Sequence, residues 1–145
     1  MNPQAPPPFI NELLATFAAE ARADGVTLWV AEELDLVATC NPIEPEVPGM
    51  RQPLERGIIS QVYLTGIGMI ERAPASNPAH DDTVDRHLGK RTAAIMAAPV
   101  SFGQHGGDGV LSAVRHHGGQ PGAFDLDDLS ALERLAATVS GRASG

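Results

Sequence analysis

An α+β domain is predicted: an antiparallel sheet of five to six strands, with the N- and C-terminal helices on one face and pocket loops on the other. Three observations predict it. Apolar residues recur at helical spacing near both ends of the chain, Phe9 to Ala21 and Leu126 to Val139. Between them lie short β-branched runs punctuated by Gly, Pro and Asp. The runs come in neighbouring pairs rather than alternating with helices, which favours antiparallel pairing over a parallel crossover sheet.

In chain order, four prolines within residues 3 to 8 oppose a helix interior, so residues 1–8 read as a Pro-rich flexible tail and 9–143 as one domain. Phe9, Ile10, Leu13, Leu14, Phe17, Ala18 and Ala21 form one apolar stripe, ended by Asp24 and Gly25. Val26 to Ala31 and Leu34 to Cys40 read as two strands with Glu32-Glu33 as their tight turn. From Asn41 to Pro53, four prolines and a glycine predict a connecting loop. Ile58, Ile59, Val62 and Tyr63 mark a short helix that Gly66 can end in the left-handed conformation, and Ile67 to Ile70 a brief strand. Residues 71–90 are polar, with a turn or two of helix near Asp82 to Leu88. Thr92 to Phe102 and Val110 to His116 read as a strand pair joined by a glycine turn at 103–109. Asp125 is placed to cap the last helix, Asp128 suits its third position, and Phe124 can staple onto Leu129.

Composition narrows function. With 43% hydrophobic and 19% charged residues the chain is too apolar to stay disordered. A net charge of −8, scattered basic residues and 4% aromatics speak against nucleic-acid binding. No apolar run approaches the roughly 18 residues of a membrane span, the start lacks the pattern of a signal peptide, and the single cysteine has no partner for an internal disulfide. A cytoplasmic, membrane-free setting is expected.

The helix and turn GIISQVYLTGIGMI from Gly57, the strand RTAAIMAAPVSF with Pro99, Gly109-Val110-Leu111, and GAFDLDDLSALERLA from Gly122 follow one another in an order that resembles the GAF family. The likeness runs from about Phe9 to Val139. It implies a PAS-like fold, a signalling role, a small ligand such as a cyclic nucleotide, tetrapyrrole, haem or metabolite, or none, and dimerisation through the terminal helices. Several variants depart from this chain. No Asn-Lys pair is present and Leu129 stands where the cyclic-nucleotide subset has Glu; Cys40, followed by Asn41, lies ahead of the region where bilins attach. Free methionine sulfoxide reductases use several cysteines to resolve a disulfide, and this chain has one.

The densest titratable group is His80-Asp81-Asp82, Asp85 and His87, which reads either as a solvated acidic loop or as acid–base or metal chemistry. The resemblance places a pocket cover there. His80, Arg86, His87 and Arg91 are then candidate polar contacts for a ligand, with a plain solvated lid as the alternative. Trp29, Tyr63, Met69, Ile70, Ile95 and Met96 are candidates to line the cavity, against plain core. His116 and His117 point to opposite faces of a strand and read as strand-end surface histidines, with an axial haem ligand as the alternative for one of them. Cys40 reads as a small buried hydrophobe. No Ser-His-Asp elbow, phosphate loop or metal constellation is evident, so the chain is expected not to be an enzyme.

These readings combine into a small regulatory or sensory domain of bacterial-type cytoplasmic signalling. It would bind a small ligand or a partner protein and act in trans, since 145 residues leave no room for an output domain. The terminal stripes are expected to pair two copies into a homodimer. A ligand-free dimeric scaffold is the alternative, and a small metal-dependent enzyme built on His80 to His87 a third. The cofactor, if any, stays unnamed.

Overall fold

A computed structural model describes residues 8–55, 57–72, 83–102 and 108–144, with the backbone alone at 83, 87 and 142–144. The proline-rich start, most of the acidic loop and the glycine turn at 103–107 lie outside the described residues. Helix α1 (Pro8–Ala21) leads to strands β1 (Gly25–Glu32), β2 (Asp35–Cys40) and β3 (Arg51–Pro53). Then come α2 (Ile58–Thr65), β4 (Met69–Glu71), α3 (Thr83–Leu88), β5 (Thr92–Ser101), β6 (Asp108–His116) and α4 (Leu126–Ser144). The strands form one six-stranded antiparallel sheet in the order β3-β2-β1-β6-β5-β4.

Pleating divides each strand between two layers. On one face Val26, Leu28, Met96, Ala98, Leu111 and Ala113 pack against Leu14 and Phe17 of α1 and Leu132, Ala136 and Val139 of α4. On the other, Trp29, Leu36, Ala38, Ile95, Ala97 and Val110 pack against Ile58, Ile59 and Val62 of α2 and Val47 of the 41–50 segment. Met96 and Ile70 therefore turn away from the second face, which corrects their assignment to the pocket side. Neighbouring residues of a strand cannot share a face.

The segment from Asn41 departs from a plain loop, because Arg51–Pro53 adds an edge strand to β2. A proline is tolerated at the end of an edge strand, where its missing N–H breaks no ladder bond. Arg51 also reaches Glu32 at 3.0 Å and Asp35 at 3.3 Å, clipping the edge to the hairpin. The hairpin turn itself is Glu33-Leu34, one residue later than expected, with Glu32 opposite Asp35 and Glu33 at φ 55°. Gly66 ends α2 at φ 72°, its N–H bonded to the Val62 carbonyl at 2.8 Å.

The two ends of the chain are tied together by one side chain. Arg115, in β6, donates to the carbonyls of Ala21 (2.8 Å) and Arg22 (3.0 Å) at the end of α1 and to Gly122 (3.4 Å) and Ala123 (3.0 Å) before α4. Its guanidinium lies 4.2 Å from the centre of the fully buried Phe124 ring. A planar five-donor fork suits this task because helix C-termini leave several carbonyls unpaired.

Candidate functional site

Polar residues interrupt the second face of the sheet where apolar ones would close it. Thr27 and Ser112 sit opposite one another on β1 and β6, each in an otherwise apolar run, and both are buried. With Trp29, Val47, Ile59, Ile95 and Val114 they line a cavity of about 40 Å³. Glu44, Gln52, Asp85, Thr92 and His116 complete its polar wall.

Local chemistry places each of these groups. Asn41, just before Pro42, accepts the N–H of Ile43 (3.0 Å) and of Glu44 (2.8 Å) on its side-chain oxygen. That turn folds the chain back and directs Glu44 inward. The Asn41 amide then donates to Thr27 Oγ1 at 3.0 Å and lies 3.4 Å from Glu44 Oε1. Gly25 is a glycine for the same reason, since a Cβ there would collide with Glu44 Oε1.

Asp24 accepts the His116 N–H at 2.9 Å, fixing the end of β6. His116 Nε2 lies 3.0 Å from Glu44 Oε2, both residues being about 95% buried, at 6% and 5% exposure. Lys90 reaches the same carboxylate oxygen at 3.6 Å from a half-exposed position. His116 Nδ1 has no hydrogen-bond partner among the described residues. From the α3 side, Asp85 accepts the backbone N–H of Thr92 at 2.8 Å and its hydroxyl at 2.6 Å, holding α3 against the start of β5. Trp29 Nε1 donates to Ser112 Oγ at 2.9 Å.

Of the residues singled out from the sequence, Trp29 and Ile95 line this cavity. Tyr63 and Met69 pack on the same apolar cluster without reaching the polar wall; Tyr63 borders a separate groove with Pro99, Gly109 and Glu133. Arg91 is exposed, its carbonyl accepting from His117 N–H at 2.8 Å, and Arg86 is exposed on α3. His80 and the side chain of His87 lie outside the described residues. His116 is corrected from a surface histidine to a buried one, because the Asn41 turn brings Glu44 over it. The missed signal was polar residues at inward positions of apolar strands, together with a lone Glu between prolines. Cys40 is on the opposite face, its thiol donating to Asn11 Oδ1 at 2.7 Å and pushed up to about 11 by burial. Among the described residues no three His, Cys, Asp or Glu side chains are grouped to hold a metal ion. No helix there is long and apolar enough to cross a membrane.

The curled antiparallel sheet with terminal helices on one face and a covered cavity on the other is a GAF-like fold. The GAF domain of Acinetobacter phosphoenolpyruvate-protein phosphotransferase superposes with a TM-score of 0.71 at 16% identity, over 91% of this chain and 77% of that one. The free methionine-R-sulfoxide reductase of Neisseria meningitidis, determined with its substrate, gives 0.73 at 19%, over 92% and 75%. A type II free methionine-R-sulfoxide reductase from Thermoplasma acidophilum gives 0.62 at 19%, over 91% and 93%. At such identities the likeness is one of fold. No protein-family model and no curated protein matches the sequence.

The two reductases overturn the expectation that the chain is not an enzyme. That expectation came from missing motifs, whereas this fold also houses catalysts. A site assembled from side chains far apart in sequence, as Glu44 and His116 are at a separation of 72, leaves no short motif to find.

Proposed function

We propose that this chain is a regulatory domain that binds a small polar ligand in the cavity between the sheet and the 41–53 segment, and passes its occupancy to a partner protein. One observation carries the reading: the cavity is walled by a nearly wholly buried Glu44–His116 pair whose second imidazole nitrogen has no partner among the described residues. Burying such groups costs more than apolar core at the same positions, so a site that keeps them is fitted for recognition. The GAF domains among the structural neighbours support the regulatory part.

A melting screen against nucleotides, amino acids, amines, organic acids and haem tests it. A ligand bound only to the folded chain raises Tm by mass action. The rise should vanish in Ser112→Met, which fills the cavity, and persist in Thr16→Ala on the opposite side. Stabilisation that survives Ser112→Met would place the site elsewhere.

A second reading, two copies paired through α1 and α4, draws on the groove between those helices, where Phe9, Leu13 and Ala131 are only half-buried. Glu12, Glu20 and Arg134 share that groove. Light scattering of the wild type and of Leu13→Glu tests it: a dimer that Leu13→Glu splits supports the pairing, and a monomeric wild type removes it.

A further inference from the structure

Building on the ligand-binding reading above, we propose that the ligand is a small protonated amine whose ammonium group bonds His116 Nδ1 beside Glu44. The argument begins with the proton on the imidazole. An ionised carboxylate only accepts hydrogen bonds, so at 3.0 Å from Glu44 Oε2 the Nε2 atom of His116 is the donor. When that ring is neutral, Nδ1 presents a bare lone pair. That atom is shut from solvent and has no partner among the described residues. A group that satisfies it must bring an N–H or an O–H.

Charge decides between donors. Glu44 stands next to His116, and Asp85, accepting two bonds from Thr92, adds a second carboxylate to the wall. No lysine or arginine is among the described residues that line the cavity, Lys90 meeting Glu44 from the half-exposed rim. In a setting of low effective dielectric a carboxylate or phosphate ligand would be repelled there, and an ammonium group attracted. Trp29, Val47, Ile59 and Ile95 offer apolar surface to a short alkyl body. A cavity of about 40 Å³ accommodates about three heavy atoms, taking the room one water needs as the unit.

Those dimensions name the probe. Ethylammonium, ethanol and formate are matched in size and differ in charge and donor capacity. Each is titrated into the full-length chain at constant ionic strength, near pH 8, while the ¹⁵N resonances of the His116 ring are followed. Ethylammonium is expected to move Nδ1 saturably, with Kd at roughly millimolar for so few atoms, ethanol at least tenfold more weakly, and formate not at all. Glu44→Gln, equal in shape and uncharged, should weaken ethylammonium at least tenfold more than it weakens ethanol.

Formate binding as tightly as ethylammonium would overturn the proposal, since it would mean an imidazolium meeting an anion. So would an Nδ1 resonance that ethylammonium never moves. In that second case, a compound from the melting screen that shifts the Trp29 and His116 resonances would keep the cavity as a site and discard the amine. If no compound does so, the ligand-binding reading falls as well.

Discussion

Single residues in this chain answer to their immediate surroundings. Gly109 lies in the central strand β6, where an added Cβ would collide with the Trp29 carbonyl of β1. Gly109→Ala should therefore push β1 and β6 apart at the middle of the sheet and cost about 3 kcal/mol, read by denaturant unfolding. Cys40 makes a chemical prediction. Its thiol is raised from 9.0 to about 11 because the thiolate would be desolvated. Its reaction with a disulfide reagent at about pH 8 should then follow the unfolding rate. The folded pKa is the higher one, so this stabilisation is complete below the unfolded value and is lost as pH rises from about 9 towards 11. A stability profile should fall by about 2–3 kcal/mol across that window, and Cys40→Ala should remove the fall.

At the scale of elements, the contacts that order helices and strands are made by their ends. Asp125 caps α4, accepting the Asp128 N–H at 2.8 Å, while Asp128 accepts the Asp125 N–H at 2.8 Å. This is the reciprocal box expected from Phe124 to Asp128, with Asp in the place Glu usually takes. The Asp125 carboxyl is held below its ordinary value, first by the Asp128 backbone N–H. A depressed pKa stabilises above the unfolded value and loses that contribution as pH falls through the folded one. Asp125→Ala should lower Tm at neutral pH and flatten the acid limb of the Tm profile. Arg115 joins the end of α1 to the segment before α4 through four carbonyls that only a fork of donors can reach together. Arg115→Lys is thus not conservative, and a loss of about 2 kcal/mol in urea unfolding is expected.

For the molecule as a whole, one sheet serves two layers. The helix layer and the cavity layer both rest on β1, β5 and β6, so neither can melt while the other keeps its floor. Leu132→Ala in α4 removes a fully buried side chain and should cost about 2–5 kcal/mol. The change should shift one transition, seen at the same denaturant concentration by far-ultraviolet dichroism and by fluorescence of Trp29 on the opposite face. Two separate midpoints would mean that the layers unfold independently.

Periodicity and turn chemistry carried most of the architecture: both terminal helices, the β1–β2 and β5–β6 pairs, the Gly66 stop and the Asp125 cap were legible in the residues. These are local properties, set by neighbours within a turn or a strand. The edge strand at Arg51–Pro53 was hidden because pairing to β2 outweighed the prolines around it. The cavity was hidden more deeply. Glu44 looks like one more acid in a proline-rich loop, and His116 like the end of a strand, until the Asn41 turn and the β1–β6 pairing bring them within 3.0 Å. Side-chain burial and the contact between two groups 72 residues apart depend on how the chain crosses itself. Only the folded sheet, with its covering segment in place, decides those.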